Sequence, residues 1–281
     1  MTEVLINELS LSGQFNSAEE FINSGSLTKF NKLLNEMKRS DVLLYKNTGF
    51  YGSLVTKEIS VFDLFAGAVS RQYDEFRKMK SGLSCLFDEP YWEINQKHSH
   101  DIMYMHNNVC VTGKSLAEAC ERDKIVISFL HQDYSHNNIS VLKGENKILL
   151  DNLINENDFV NLAWEKEIIN CEEYCKMKFR NTKLDFSRLV PEESFVLLNK
   201  KDEKLFIDGF RKFSELSWQQ IFTDDGLGYK EYKDNKKYFR KYGKKIKKFR
   251  TSQKYRCFGY EEQDKFYVLV FDLAHKYSDY G

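Results

Sequence analysis

The sequence predicts an α+β protein built in two parts: an N-terminal mixed α/β domain over residues 1–190, then a small basic domain over residues 191–281 in which helices precede an antiparallel sheet. Three observations lead there. A length of 281 residues is enough for two cores, at about 100 to 200 residues per domain. Helical and strand-like patterns alternate as far as Pro191, and three consecutive strand-like runs close the chain. Charge is also unevenly spread. The 42 Lys and Arg balance the 42 Asp and Glu, yet Tyr229 to Arg256 holds thirteen basic residues against Glu231 and Asp234, a local net of +11 that leaves −11 for the rest.

Taken in order, "VLINELSLSG" alternates as a strand, and "NSAEEFINSGSLTKFNKLLNEMKRS" follows as a helix with Phe21, Phe30, Leu33, Leu34 and Met37 on repeating turns. Ser17 and Glu20 fit a capping box at its start. "DVLLYKN" reads as a short strand, and "ISVFDLFAGAVSRQYDEFRKMKSGLSCLF" as one long helix that ends near Asp88, because Pro90 cannot continue it. "SLAEACERDKIVISFLHQDY" gives a helix of about two turns running into the strand "KIVISFL". "ENDFVNLAWEKEIINCEEYCKMKF" is helical again, and the domain boundary falls at "SRLVPEESF", around Pro191. "SFVLLN" then reads as a strand. "KKDEKLFIDGFRKFSELSWQQIF" reads as a helix turning Leu205, Phe206, Phe210, Phe213 and Trp218 to one side, with room for a second helix after it. The strands "KKIKKFRT", "KYRCFGYEE" and "KFYVLVFDL" end the fold, joined by turns at "RTSQK" and "YEEQDK".

Several function classes are excluded. "MTEVLINELSLSGQF" has early acids and no long apolar run, so it is neither a secretion signal nor a transit peptide. No stretch approaches the roughly 18 to 20 apolar residues of a membrane span, and the reading is a cytoplasmic protein with no membrane partner. Six scattered cysteines make no disulfide set, and Cys171 and Cys175 read as small helix residues without a second metal-ligand pair. Gly113-Lys114-Ser115 lacks the glycine a phosphate loop needs five residues earlier, where Asn108 stands, and reads as a turn with Ser115 capping a helix. His98, His100, His106, His131 and His136 fall close together but in loop-like stretches, so no metal or other cofactor is assigned.

The basic segment carries the functional signal. Lys244, Lys245, Lys247, Lys248, Arg250 and Lys254 can neutralise phosphates, and Tyr229, Tyr232, Tyr238, Tyr242 and Tyr255 interleave with them. Aromatic faces among cations are what a single-stranded RNA site uses, with Tyr255 and Tyr280 as stacking candidates.

From about Ser194 to Gly281, the last 88 residues or so, the chain resembles the RelE/ParE toxin superfamily and within it the YoeB-like messenger-cleaving ribonucleases. The resemblance rests on strand order, a basic arginine-bearing sheet and the His/Tyr terminus of "KKFRTSQKYRCFGYEEQDKFYVLVFDLAHKYSDYG". It implies catalytic roles for Arg256 in "KYRCFGY" and for His275 and Tyr277 in "AHKYSDYG", with Tyr280 competing for the last place. It places Lys247, Lys248 and Arg250 as cations on the preceding strand, and leaves the general base without a counterpart, Glu231 being nearest.

The implied activity is that of an mRNA interferase: a toxin-like endoribonuclease cutting ribosome-bound messenger without a metal, the nucleophile being the RNA's own 2′-hydroxyl. ParE-like members poison gyrase without cutting RNA, and His275 weighs towards the nuclease. Residues 1–190 then act as a regulatory or sensor domain that restrains the nuclease or answers a trigger protein, as in anti-phage defence, abortive infection or a stress response, in place of the separate antitoxin of a toxin-antitoxin pair. Two alternatives stand beside this: a non-catalytic RNA- or ribosome-binding protein, and a defence effector with its chemistry in the N-terminal domain.

Overall fold

The structure, a computed structural model describing residues 1–66, 74–86 and 91–277, combines α-helices with two mixed sheets and divides into the units Met1–Ile168 and Ile169–Gly281. No helix among the described residues is long and apolar enough to cross a membrane.

In the first unit, strands β1 (Thr2–Ile6), β2 (Val42–Tyr45), β5 (Ile125–Ile127) and β7 (Asn146–Leu153) run parallel. The sheet is extended antiparallel by β6 (Asn138–Lys143), β3 (Tyr104–His106) and β4 (Val109–Cys110), in the order β2-β1-β5-β7-β6-β3-β4. β2 and β5 lie within their predicted runs, whereas the first predicted strand, residues 4–13, ends at Ile6 and gives way to a 3-10 turn at Glu8–Ser10. The expected first helix is two, α1 (Ala18–Asn23) and α2 (Ser26–Met37), because Gly25 takes a left-handed φ of 74° between them. Phe21, Phe30, Leu33, Leu34 and Met37 are nonetheless all buried. Half of the expected capping box forms: Ser17 accepts from the Glu20 amide at 3.0 Å, but the Glu20 carboxylate takes the amide of Asn16 rather than that of Ser17.

The predicted long helix is helical over α3 (Val61–Ala66) and α4 (Asp74–Leu86), while its middle and its stop at Pro90 lie outside the described residues. Ser115 does not cap α5 (Ser115–Cys120). It is the first helical residue, its amide donating to Glu8 Oε1 at 3.1 Å and its hydroxyl accepting from Trp92 Nε1 at 3.1 Å.

The boundary expected near Pro191 falls instead at Ile168 and Ile169. The single helix expected there is two, α6 (Glu156–Glu165) and α7 (Cys171–Lys178), each opened by its own asparagine capping box, Asn155 with Asp158 and Asn170 with Glu173. After α7 the chain supplies β8 (Leu184–Asp185), a parallel partner for the last strand, and Phe179 and Phe186 set their rings 6.1 and 5.0 Å from that of Phe210. Backbone pairing and aromatic burial thus draw the 22 residues from Ile169 to Val190 into the second unit, and the proline merely opens a 3-10 turn, Pro191–Glu193.

The second sheet runs β8-β12-β11-β10-β9 and is antiparallel but for β8, so it is mixed where a purely antiparallel sheet was expected. Its strands are β9 (Lys230–Glu231), β10 (Ile246–Arg250), β11 (Arg256–Glu262) and β12 (Lys265–Asp272). The last three are the predicted terminal strands. Gln263 and Asp264, at φ 49° and 60°, form the tight turn between β11 and β12.

Helices α8 (Lys200–Glu215) and α9 (Trp218–Thr223) lie between β8 and β9 in the chain, capped by Asn199 and Ser217. Phe206, Phe210 and Phe213 of α8 are fully buried, with ring contacts to Phe249, Phe266 and Phe271 of the sheet, whereas Leu205 stays 40% exposed off that face. The expected strand "SFVLLN" is a 3-10 turn, Phe195–Leu197, and the basic segment holds no further α-helix, only a 3-10 turn at Arg240–Tyr242.

A candidate nucleic-acid interface in the C-terminal unit

A strand sends alternate side chains to opposite faces, and that rule sorts the basic segment. Phe249, Cys257 and Phe271 point to the face covered by α8, so Lys248 and Arg250 on β10 and Arg256 and Phe258 on β11 share the other face. Much of that second face is covered by a cluster of Tyr232, Phe239, Ile246, Phe258, Tyr260, Leu269, Val270 and Tyr277. What stays open is cationic. A cleft of about 730 Å³ is lined by Lys230, Lys248, Arg250, Arg256 and His275, with Phe222, Asp224, Asp225 and Tyr229 around it.

The ladder registers set like charges against each other. Lys248 pairs with Lys230 across β10/β9, and Arg250 with Arg256 across β10/β11, an arrangement that costs stability when nothing compensates it. Among the described residues none of these four cations is ion-paired to a carboxylate. Those just outside the cleft are: Lys244 to Glu262, Lys247 to Glu261, Lys276 to Glu193, Lys212 to Asp224. Lys248 is 8% exposed, its ammonium 5.3 Å from the Tyr232 ring centre and 5.7 Å from that of Phe258. Burial pushes its pKa down, and the nearby charges of Lys230, Arg256 and Arg250 push the same way against Asp272. Arg256 Nη1 donates to the carbonyls of Gln253 at 3.3 Å and Lys254 at 2.9 Å, which fixes one side of the guanidinium.

His275 follows β12 with a left-handed φ of 58°, a conformation its neighbours impose. On one side Asp272 accepts the Tyr277 amide at 3.3 Å. On the other, Tyr277 is locked in place: its hydroxyl donates to Glu193, its carbonyl accepts from Tyr232 Oη at 3.0 Å, and Lys276 also reaches Glu193.

Of the residues named from sequence, Arg256, His275, Lys248 and Arg250 come together in the cleft. Tyr277 is 5% exposed and anchors the tail instead of lining the cleft. Tyr255 is 9% exposed and stacks on Phe206 beneath the sheet, so it offers RNA no free face. Lys247 points away, to Glu261 and over the rings of Phe222 and Tyr229. Lys244, Lys245 and Lys254 are exposed but not among the cleft residues, and Tyr280 lies outside the described residues. Glu231 pairs in register with Lys247, on the far face from Lys248. The carboxylates at the cleft are Asp224, tied to Lys212 and the Leu227 amide, and Asp225, which is exposed.

Sequence reasoning missed Lys230, Phe222 and Asp225. Lys230 alone had a signal, as the first cation of the basic run.

Of the histidines of the first unit, His98 and His100 set their rings 5.0 Å apart, edge to face. His98 is buried, its Nδ1 2.7 Å from Glu118 Oε2 and its Nε2 accepting the Gly113 amide at 3.2 Å. Glu118 also takes Arg122 Nε, which makes a structural network. His106 bonds to the Ser140 carbonyl, His131 meets Ser12 and the Asp133 amide, and His136 is exposed. Among the described residues no three His, Cys, Asp or Glu side chains are arranged to hold a metal. No known protein family, curated protein or solved structure matches the chain.

Proposed function

We propose that the C-terminal unit binds single-stranded RNA by its phosphates and cleaves it by attack of the RNA's own 2′-hydroxyl. The supporting observation is the cleft itself: Lys230, Lys248, Arg250 and Arg256 converge without carboxylate partners and His275 stands among them. Four cations without ion-pair partners on one face are matched by a polyanion, and guanidinium groups suit a phosphodiester's paired oxygens.

In this reaction the 2′-oxygen forms a bond to phosphorus while the bond from phosphorus to the 5′-oxygen breaks. One group takes the 2′ proton and another gives a proton to the departing 5′-oxygen, leaving a 2′,3′-cyclic phosphate and a 5′-hydroxyl. His275 supplies one of these transfers, and Arg250, Arg256 and Lys248 stabilise the charge gathering on the phosphorane. Asp225, exposed and lining the same cleft, is the carboxylate available for the other transfer, and Tyr277, held in the tail anchor, takes no proton-transfer role.

The wider reading is a toxin-like effector of defence or stress response whose acidic first unit restrains the basic second one; in support, Met1–Ile168 holds 17 Lys and Arg against 24 Asp and Glu, a net of −7 that Ile169–Gly281 balances with +7. The test is cleavage of messenger RNA, free and ribosome-bound, by the full chain in EDTA, with the ends identified. Cyclic phosphate and 5′-hydroxyl ends, lost in Arg256→Ala and His275→Ala, are expected. Binding that survives without any cleavage products turns the reading into that of a non-catalytic RNA-binding protein.

A further inference from the structure

Phe222 lines the cationic cleft with 56% of its surface exposed, although it lies in the last turn of a helix beside the fully buried Ile221. Its ring is held in place. Trp218 and Tyr229 lie 6.3 and 5.4 Å away between ring centres, the latter edge-on, and the Lys247 ammonium sits 5.2 Å over it, pinned there by Glu261. Beyond the same ring lies a second groove of about 340 Å³ lined by Glu261, Glu262 and Asp264, which are held by Lys247, Lys244 and the Trp218 indole in turn. Among the described residues, Phe222 therefore stands between a cleft whose cations have no carboxylate partner and a groove lined by no cation.

Resting on the phosphate-binding reading of the cleft, we propose that Phe222 is the nucleobase platform of this site, stacking one unpaired base of the strand whose phosphate lies among Lys230, Lys248, Arg250 and Arg256. A nucleotide's base lies within one ring's reach of its own phosphate, and an immobilised aromatic beside a phosphate pocket offers that base a π-face at little cost in side-chain freedom. The groove on the far side offers the backbone no cation, so the base is the part of the strand that crosses Phe222. The substrate class follows: a base must be unstacked to lie there, so the ligand is a single strand and not a duplex.

The experiment measures binding of the full chain to a 2′-O-methyl hexanucleotide, which cannot be cleaved, and to its fully abasic counterpart of equal charge. Wild type, Phe222→Ala, Phe222→Tyr and Lys248→Ala are compared. Base–aromatic stacking corresponds to about 5- to 150-fold in affinity, so wild type should prefer the base-bearing strand by a factor in that range. Phe222→Ala should lose most of that preference while binding the abasic strand as wild type does, Phe222→Tyr should keep it, and Lys248→Ala should weaken both strands alike. Preference unchanged in Phe222→Ala, or equal weakening of both strands, overturns the platform while leaving the phosphate site standing. Failure of wild type to bind either strand overturns the phosphate site and the platform with it.

Discussion

Arg250 and Arg256 face each other across the β10/β11 ladder, and among the described residues neither is ion-paired to a carboxylate. Directly opposed like charges destabilise a strand pair by about 0.2 to 1 kcal/mol. A fold selected for stability alone would separate them. Replacing one, as in Arg250→Gln, is expected to leave the fold as stable as before or to raise stability within that range in urea titration, while RNA affinity falls. A clear loss of stability would show that the guanidinium is compensated within the fold, and would remove the reason for invoking an anionic ligand.

Adjacent lysines of one strand should behave differently in salt. Lys248 lines the cleft, whereas Lys247 is committed to Glu261 on the other face. Each phosphate contact to a single strand contributes about 0.7 to the slope of log affinity against log salt. Lys248→Ala should flatten the plot by about that amount and Lys247→Ala should not. The reverse result would move the RNA path to the opposite face of the sheet.

How far the sequence foretold this site depends on one period. The strand of Arg256 and the buried run from Phe266 to Phe271 are legible because β-branched and aromatic residues fill them, and Phe206, Phe210 and Phe213 because their spacing is helical. Composition, by contrast, treats every Lys and Tyr of the basic segment alike. Alternation separates them: Tyr255 precedes Arg256 and so falls on the α8 side, and Lys247 precedes Lys248 and so leaves the cleft. Asp225 and Phe222 carry no such signal, because the chain brings them to the cleft from a helix end and a loop. The Pro191 boundary misled for a related reason. The residues that tie Cys171 to Asp185 to the second unit, Phe179 and Phe186 among them, do so through partners at Phe210 and on β12 that no local pattern reveals.

Gly259 marks the irregularity in the β11/β12 pairing, where the register shifts between Phe258 and Gly259. A Cβ there would stand 2.1 Å from the Tyr267 carbonyl oxygen and 2.8 Å from the Phe266 ring, and the backbone atom cannot swing aside. Gly259→Ala should therefore cost about 1 to 3 kcal/mol or more in denaturant unfolding, as overpacking does. Because β11 carries Arg256, RNA affinity should fall as well. A neutral substitution would show that β12 can slide to make room.

The tail that presents His275 should loosen in acid. Burial works to raise the Glu193 carboxyl, but hydrogen bonds from Lys276 and Tyr277 outweigh it and hold the group below its ordinary value of 4.5, with Lys241 adding in the same direction. A carboxyl depressed in the folded state stabilises the fold above its unfolded value, and that contribution is lost as pH falls through the lower folded one. Tyr277 has the opposite sign. Burial first, and then Glu193, push its phenol from 10.0 up to about 12, so its contribution holds below pH 10 and is lost as pH rises through that higher value. Between those limits the anchor should be insensitive to pH. Limited proteolysis or hydrogen exchange of the residues after Asp272 should accordingly be flat from about pH 5 to 10 and rise below about 4.5. Glu193→Gln, which keeps an acceptor for Tyr277, should remove the rise. Tyr277→Phe should cost about 1 kcal/mol for the lost hydrogen bond and loosen the same residues at neutral pH. If the phenol only positions His275, the variant lowers the cleavage rate without changing the shape of its pH profile. Loss of the alkaline limb of that profile, with the tail still protected, would return Tyr277 to the chemistry.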